Sequence, residues 1–405
     1  MLDTNPLYEQ LWSAQARSWG NRTDWGTTPR TASMISLAWG LPDPATFPAN
    51  QLTAATELVL RDHAATALQY GNVQGYRRLI EVLCKKFKDD EGLTVTPEQV
   101  LITNGSSHAL SLIARVLLDP GDPIVVEAPT FVGAVNTFLR ALAAPYEVLL
   151  DEEGIGFADL DRTLGHLQAE GRAAKFIYTI PSFQNPTGLT MSFARRHELL
   201  DLAVEHGALI VEDDAYRDIC FEGEVPPSLF AIDSTGDIRG HVIRTGTFSK
   251  ILAAGLRLGW VVAPAEMIEK LTAFKDDGGT NPFAAHVAAT FAEAGELALH
   301  ITDLRQHYRR KRDIMLRAMR AYFPRSVQWT EPTGGFFIWV TLPERVDTTA
   351  LQQRAWEEGV DFVPGARCFA SGEGSRYLRL AFSYNTPDEI EEGIKRLGRT
   401  LATVL

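Results

Sequence analysis

Three cysteines in 405 residues, Cys84, Cys220 and Cys368, are too few and too widely spaced for a disulfide framework or a zinc pattern. They read as reduced, mostly buried thiols. No run approaches the ~20 consecutive apolar residues that would span a bilayer. The first residues, MLDTNPLYEQ, lack the charged-then-apolar order of a secretory signal. The expectation is a cytoplasmic protein with no membrane partner. Positive charge is also short: 39 Lys and Arg against 51 Asp and Glu leave a net charge of −12. The phosphate field of nucleic acid repels so acidic a chain, so no nucleic-acid partner is expected. There is no repeat, no low-complexity linker and no block of like charge to act as an interaction tail.

The apolar share of 45% and charged share of 22% are ordinary for a globular protein. A chain of 405 residues exceeds what one core supports, so a large domain with a smaller one is expected. Residues 1–49 are irregular, but Trp12, Trp19, Trp25 and Trp39 argue for an ordered N-terminal arm that also contributes to the small domain. From 50 to 285, helical text such as LTAATELVLRDHAATALQY and SSHALSLIARVLL alternates with apolar runs: VLITN, PIVVEAP, AAKFIYTIP, ALIVEDDAY and HVIRTGTFS. That alternation predicts βαβ units, an α/β domain with a mainly parallel, helix-flanked sheet. From 286 to 405 the pattern changes. A long charged helical stretch over 284–323 precedes the strands VQWTE, GGFFIWVTL and YLRLAFS and an amphipathic helix over 387–404. This predicts a smaller α+β domain, with the boundary near 285.

Five constellations fall at strand ends, where open α/β sheets bind ligands. In TNGSSHAL (103–110) a strand runs through Gly105, Ser106 and Ser107 into a helix, so free N–H groups and the helix dipole favour an anion such as phosphate. The plainer alternative is an N-cap, where serine is favoured anyway. SFQNPTG (182–188) is a turn by its Pro and Gly alone, or a loop presenting the Asn185 amide to a ligand. VEDDAY (211–216) ends an apolar strand in carboxylates, and a buried carboxylate needs a partner. Asp213 therefore wants a cation such as a protonated ring nitrogen; a metal or a helix cap are the alternatives. In GTFSKILAAGLRLGW (246–260), Lys250 sits among small and apolar residues, which lowers an amine's pKa and leaves it nucleophilic. Thr247 and Ser249 precede it, and Arg257 offers a forked phosphate donor. A lone lysine is more often a solvated surface charge. Arg379 in YLRLAFS (377–383) is either an edge residue with a snorkelling stem or a bidentate carboxylate clamp.

In this order and spacing, GLPDPATFP, LQYGNVQGY, NGSSHAL, NPTG, EDDAY, GTFSK, GLRLGW and RLAFS resemble the class I/II aminotransferases of PLP fold type I, over about residues 34 to 400. The likeness points to the branch of 2-aminoadipate and kynurenine aminotransferases, related also to the effector domains of MocR-type regulators. The resemblance implies pyridoxal 5'-phosphate (PLP) as cofactor. It implies that Lys250 binds PLP as a Schiff base and later moves the substrate's Cα proton. Asp213 would keep the ring nitrogen protonated. Asn185 and Tyr216 would bond the ring hydroxyl oxygen, and Phe131 would stack on the ring. Gly105, Ser106, Ser107, Thr247, Ser249 and Arg257 would cup the phosphate. Arg379 would clamp the substrate α-carboxylate beside the Gly40 backbone. Tyr70 would reach the neighbouring subunit's phosphate, so a homodimer with shared sites is implied.

Some positions depart from the family pattern. Trp39-Gly40 stands where Gly-Gly is usual, narrowing the carboxylate side; Phe131 replaces Tyr and Ser107 replaces Gln. GGTNPFAAH (278–286) occupies the place of a phosphate-contacting Ser or Thr, with Thr280 and Asn281 as candidates. The implied reaction moves the amino group of an L-amino acid to a 2-oxo acid, with 2-oxoglutarate as a candidate acceptor, by a ping-pong mechanism. The alternatives are another PLP reaction (C–S lyase, decarboxylase or oxidative deaminase) or a non-catalytic PLP-binding sensor. A sensor of the MocR kind carries an N-terminal DNA-binding domain, and GLPDP at residue 40 leaves no room for one. For the substrate side chain the arm offers Arg17, Arg22 or Arg30 to an acid, and Trp19, Trp25 or Trp39 to an apolar group; the alternative is plain surface and interface.

Overall fold

Runs that are apolar at every position become strands buried on both faces, and runs apolar along one stripe become the helices that cover them. The computed structural model describes residues 10–19, 34–235 and 240–405. Its first strand, β1 (Ile35–Ser36), is a two-residue piece beside the C-terminal lobe. The main sheet contains β2 (Val100–Thr103), β3 (Pro123–Ala128), β4 (Ala144–Asp151), β5 (Gly154–Ile155), β6 (Phe176–Thr179), β7 (Leu209–Asp213), β8 (Val242–Thr247) and β9 (Gly259–Val262). They lie in the order β2-β9-β8-β7-β6-β3-β4-β5. Strands β4, β3, β6, β7 and β8 pair in parallel. Strand β9 runs antiparallel between β2 and β8, and β5 runs antiparallel to β4.

Every residue of β2, β3, β6 and β8 is buried. Successive side chains feed opposite cores: Leu101, Ile124, Val126 and Tyr178 join one, while Ile102, Val125 and Ile177 join the other. Helices Ser106–Leu117 and Val132–Arg140 close the first face, and Arg77–Glu91, Phe157–Ala169 and Phe193–Glu205 close the second. Because β2, β3, β6, β7 and β8 share one direction, their C-terminal ends line one edge, joined by the N-terminal end of β9. All five predicted constellations except the last start from that edge.

The smaller lobe holds β10 (Gln328–Trp329), β11 (Phe337–Thr341), β12 (Val360–Asp361), β13 (Val363–Pro364) and β14 (Tyr377–Ala381). Four of these form an antiparallel sheet, β10-β11-β14-β13, while β12 pairs in parallel with β1. Helices Glu296–Tyr322 and Pro387–Ala402 pack against each other beneath it. The architecture is therefore α/β with a large, mostly parallel sheet and a smaller sheet domain, as the sequence pattern predicts. Among the described residues, no helix is long and apolar enough to cross a membrane.

The structure places one sequence expectation differently. The helical stretch over 284–323 is two helices, Pro282–Glu293 and Glu296–Tyr322, separated at Gly295, whose φ of 81° is left-handed. A boundary at 285 falls inside the first of them. That helix packs on Ala49–Asp62 and Arg77–Glu91, on the large-sheet side.

Candidate active site at the strand-end edge

Main-chain register builds one end of the site. Gly259 of β9 is the partner both of Thr103 at the end of β2 and of Thr247 at the end of β8. A Cβ on Gly259 would lie 2.6–2.8 Å from Gly105 C, Gly105 Cα and Ser106 N. Glycine there lets the Gly105–Ser106 turn lie flat on the strand. Gly105 itself has φ 77° and caps helix Ser106–Leu117, whose first N–H groups face the edge. A Cβ on Gly105 would sit 2.8 Å from Arg257 Nη2, so the guanidinium lies over that turn. Arg257 is left-handed (φ 55°) and is steadied by Nη1 donating to Ala254 O at 3.1 Å. Thr247 Oγ1 donates to Ser249 Oγ at 2.9 Å and accepts from Ser249 N at 3.0 Å. A crevice of about 660 Å³ opens here, lined by Ser107, His108, Arg257, Asp277, Thr280 and Asn281 among others. The cradle fits a phosphate: N–H groups, hydroxyls and one arginine, with glycines at the points of closest approach.

The middle of the site holds a carboxylate and an amine. Asp213 ends β7 and is buried; its Oδ2 accepts from Tyr178 Oη at 2.8 Å, while its buried Oδ1 has no partner. Burial pushes its pKa up to about 6, against the lowering effect of the Tyr178 donor. A buried carboxylate oxygen without a donor fits a ligand N–H. Lys250 follows β8 in a single wide π-helical turn, Ser249–Ala253, a form common at functional sites. Its Nζ donates to Gly40 O at 2.9 Å and lies 5.7 and 5.5 Å from the ring centroids of Tyr216 and Phe336. Burial, then the charges of Arg379 and Arg257, lower its pKa to about 8, with Asp213 opposing. About a tenth of the amine is then uncharged at pH 7, far more than for an ordinary lysine, and the uncharged form is the nucleophile.

Side chains from distant segments build the far end. Arg379 lies in β14, between β11 and β13, so it is not on a sheet edge and the snorkelling alternative fails. Its Nη1 donates to Asn185 Oδ1 at 2.8 Å and its Nη2 to Ala38 O at 2.7 Å, over the face of Phe337 at 4.3 Å. Its Nε is buried without a partner. Gly40 is required beside it, because a Cβ would meet Phe337 Cζ at 2.5 Å. Asn185 is buried in a turn with a cis Asn185–Pro186 bond, held by Gln184, whose amide bonds Glu127, Pro129 O and Thr187. Tyr216 packs edge-on against Phe336 and Phe337, at 5.4 and 5.6 Å.

The predicted residues thus converge, with exceptions. Phe131 opens helix Val132–Arg140 at the same edge, with its ring laid over Gly133. Trp39 lies between the Ala38 and Gly40 carbonyls that Arg379 and Lys250 hold. Tyr70 is 85% exposed beside Gly278. Trp19 packs under the Arg140 guanidinium at 4.1 Å, and Arg17 Nη1 donates to Trp12 O. Neither of these is placed at the site within its own chain. Arg22, Trp25 and Arg30 lie outside the described residues. Sequence reasoning missed Tyr178, Gln184, Glu127, Phe336 and Phe337. Tyr178 alone carried a signal, since a tyrosine in a wholly buried strand must find a partner for its hydroxyl.

A strand-end turn rich in N–H groups, a buried carboxylate, a lysine and an arginine thus meet on a two-lobed α/β fold, which is that of the PLP fold type I aminotransferases. The Aminotransferase class I and II family model matches residues 33–397, and the chain belongs to that family. It is an enzyme that transfers amino groups. The chain is 41% identical to an aromatic-amino-acid aminotransferase of Thermococcus litoralis over 92% of this chain and 88% of that one. A Pyrococcus horikoshii kynurenine aminotransferase, solved in complex with PMP, aligns with TM-score 0.90 at 38% identity, covering 98% of both chains. An α-aminoadipate aminotransferase of Thermus thermophilus, complexed with N-(5'-phosphopyridoxyl)-L-leucine, aligns with TM-score 0.90 at 34% identity, again over 98% of both. Family and neighbours together imply pyridoxal phosphate as the cofactor.

Proposed function

We propose that this enzyme moves the amino group of an L-amino acid to a 2-oxo acid, 2-oxoglutarate among the candidate acceptors, using the strand-end site as a homodimer. The observation that carries the reading is that Lys250 lies within charge range of Arg379 and of Asp213, whose Oδ1 is unpartnered among the described residues. Bound PLP supplies an electron sink that weakens bonds at the substrate Cα. Lys250 would hold the cofactor, and its amine, which donates to the Gly40 carbonyl, would move the proton at Cα. Asp213 Oδ1 accepts from the ring N–H. The Asn185 Oδ1 is engaged by Arg379, which leaves its Nδ2 hydrogens to donate to the ring oxygen beside Tyr216. Gly105, Ser106, Ser107, Thr247, Ser249 and Arg257 hold the phosphate. Arg379 pairs with the substrate α-carboxylate, with Gly40 and Trp39 closing that side. Two large apolar side chains on one surface, Tyr70 at 85% and Leu68 at 68% exposure, support a second copy docking there.

Amino donor supplied without acceptor should convert bound PLP to pyridoxamine phosphate, and Lys250→Ala should reduce conversion to background. Uptake of PLP by the cofactor-free chain should quicken as pH rises through about 8, where the Lys250 amine loses its proton. Unchanged PLP recovered across a panel of L-amino acids would overturn the reading. Ammonia and pyruvate formed from a cysteine conjugate without acceptor would replace it with a lyase.

A further inference from the structure

We infer that Tyr178 is a positioning residue for the cofactor: it fixes the Asp213 carboxylate so that Oδ1 alone is left to meet the ring N–H. The inference rests on the PLP reading above. Tyr178 lies in β6 and is completely buried. Its register partner in β7 is Val211, two residues before Asp213, so Tyr178 and Asp213 project from the same face on a cross-strand diagonal. The diagonal brings Tyr178 Oη to 2.8 Å from Asp213 Oδ2. The other oxygen, Oδ1, is buried with no hydrogen-bond partner among the described residues.

Two observations say the hydroxyl serves Asp213 and not packing. The ring is already held by Phe138, edge-on at 5.4 Å and 71°, so phenylalanine would fill the same space without burying a polar group. The hydroxyl's hydrogen bond goes to Asp213, whose other oxygen is buried with no hydrogen-bond partner among the described residues. The carboxylates on either side behave differently. Glu212 accepts from the backbone N–H groups of Leu229 and Phe230, and Asp214 pairs with Arg244 at 2.7 Å. Asp214 also keeps one buried oxygen, Oδ1, without a partner, but its carboxylate is paired with the Arg244 guanidinium, whereas the side-chain bond to Asp213 comes from the neutral Tyr178 hydroxyl. Burial, and after it the Asp214 charge, raises the Asp213 pKa, and the hydrogen bond donated by Tyr178 works against them. Tyr178 itself stays protonated, because burial and the Asp213 charge push its pKa well up. A donor that never ionises therefore holds the carboxylate plane and favours its charged form, which in turn keeps the ring nitrogen protonated.

The test uses the holoenzyme loaded with PLP labelled with ¹⁵N at the ring nitrogen. In Tyr178→Phe the ring signal should move toward the unprotonated position at fixed pH, and PLP should bind roughly ten-fold more weakly, as expected for one charge-assisted hydrogen bond. Fluorotyrosine at position 178, a stronger donor of the same shape, should move the signal the opposite way. In an Asp213→Asn background, Tyr178→Phe should add no further loss. An unmoved signal with unchanged affinity, or an equal loss in the Asp213→Asn background, would overturn the inference. A wild-type chain that takes up no PLP would instead sink the cofactor reading.

Discussion

At the phosphate end, Thr103, Gly259 and Thr247 are neighbours in register across three adjacent strands, and the Gly105–Ser106 turn rests on Gly259. At the carboxylate end, Ala38, Asn185 and Arg379 come from three segments that meet only in the folded chain, through side-chain hydrogen bonds of 2.7 and 2.8 Å. The first end is made of main chain set by sheet geometry, with hydroxyls and one guanidinium added. The second is made of two single side chains, Asn185 and Arg379, tied to one main-chain carbonyl, and neither side chain has a substitute. The difference teaches that loss of one polar group should be shared out at the phosphate end and concentrated at the carboxylate end. Only steric intrusion into the backbone should injure the first end badly.

The largest effect is therefore expected from Arg379→Ala. It removes the clamp and leaves Asn185 Oδ1 and the Ala38 carbonyl without their donor. The second-order rate constant for the amino-donor half-reaction should fall roughly 10²–10³-fold, ~3–4 kcal/mol, as for truncating one partner of a buried charge pair. PLP content, measured by absorbance, should stay near wild type. Arg379→Lys should recover little, because a point charge cannot reproduce the fork to Asn185 and Ala38. A loss under about ten-fold would break the contrast between the two ends.

Gly259→Ala attacks the other end sterically. The new methyl would lie 2.6–2.8 Å from Gly105 and Ser106 backbone atoms, so the turn must move. Overpacking of this kind costs about 1–3 kcal/mol. Calorimetry should show a lower melting temperature, and equilibrium dialysis weaker PLP binding, while the donor KM of the fully loaded enzyme changes little. Wild-type PLP affinity in a folded Gly259→Ala protein would show that the register argument is wrong.

Much of this was legible beforehand, for physical reasons. Parallel strands bury both faces, so VLITN, PIVVEAP and ALIVEDD stand out as unbroken apolar text, and polar residues at their ends mark the edge that binds ligands. Direction was not legible. Nothing in the apolar GWVV of β9 says that it runs antiparallel between β2 and β8, yet that insertion sets Gly259 beside Thr103 and Thr247. Backbone partners were equally hidden: the Ala38 and Gly40 carbonyls that hold Arg379 and Lys250 have no residue type to betray them. The break at Gly295 was concealed because helical periodicity resumes at once on the far side. Arg379 looked ambiguous because an in-strand arginine reads alike on an edge or between two strands; only the sheet order placed it inside.

The smallest effect should come from Ser107→Ala, and its size sharpens the comparison most. Ser107 is exposed and sits in the first turn of helix Ser106–Leu117, where its own backbone N–H faces the edge whatever its side chain. Losing the hydroxyl removes one neutral donor from a cradle that keeps the helix N-terminus, Ser106, Thr247, Ser249 and the Arg257 guanidinium. A single such hydrogen bond is worth ~0.5–1.5 kcal/mol, so PLP should bind about two- to ten-fold more weakly. Alanine has the better helix propensity, so stability should not fall. Inorganic phosphate competing with PLP should lose affinity by the same factor, since both would use the same hydroxyl. A Ser107→Ala loss as large as that of Arg379→Ala in its own half-reaction would mean that the phosphate end, too, hangs on one side chain.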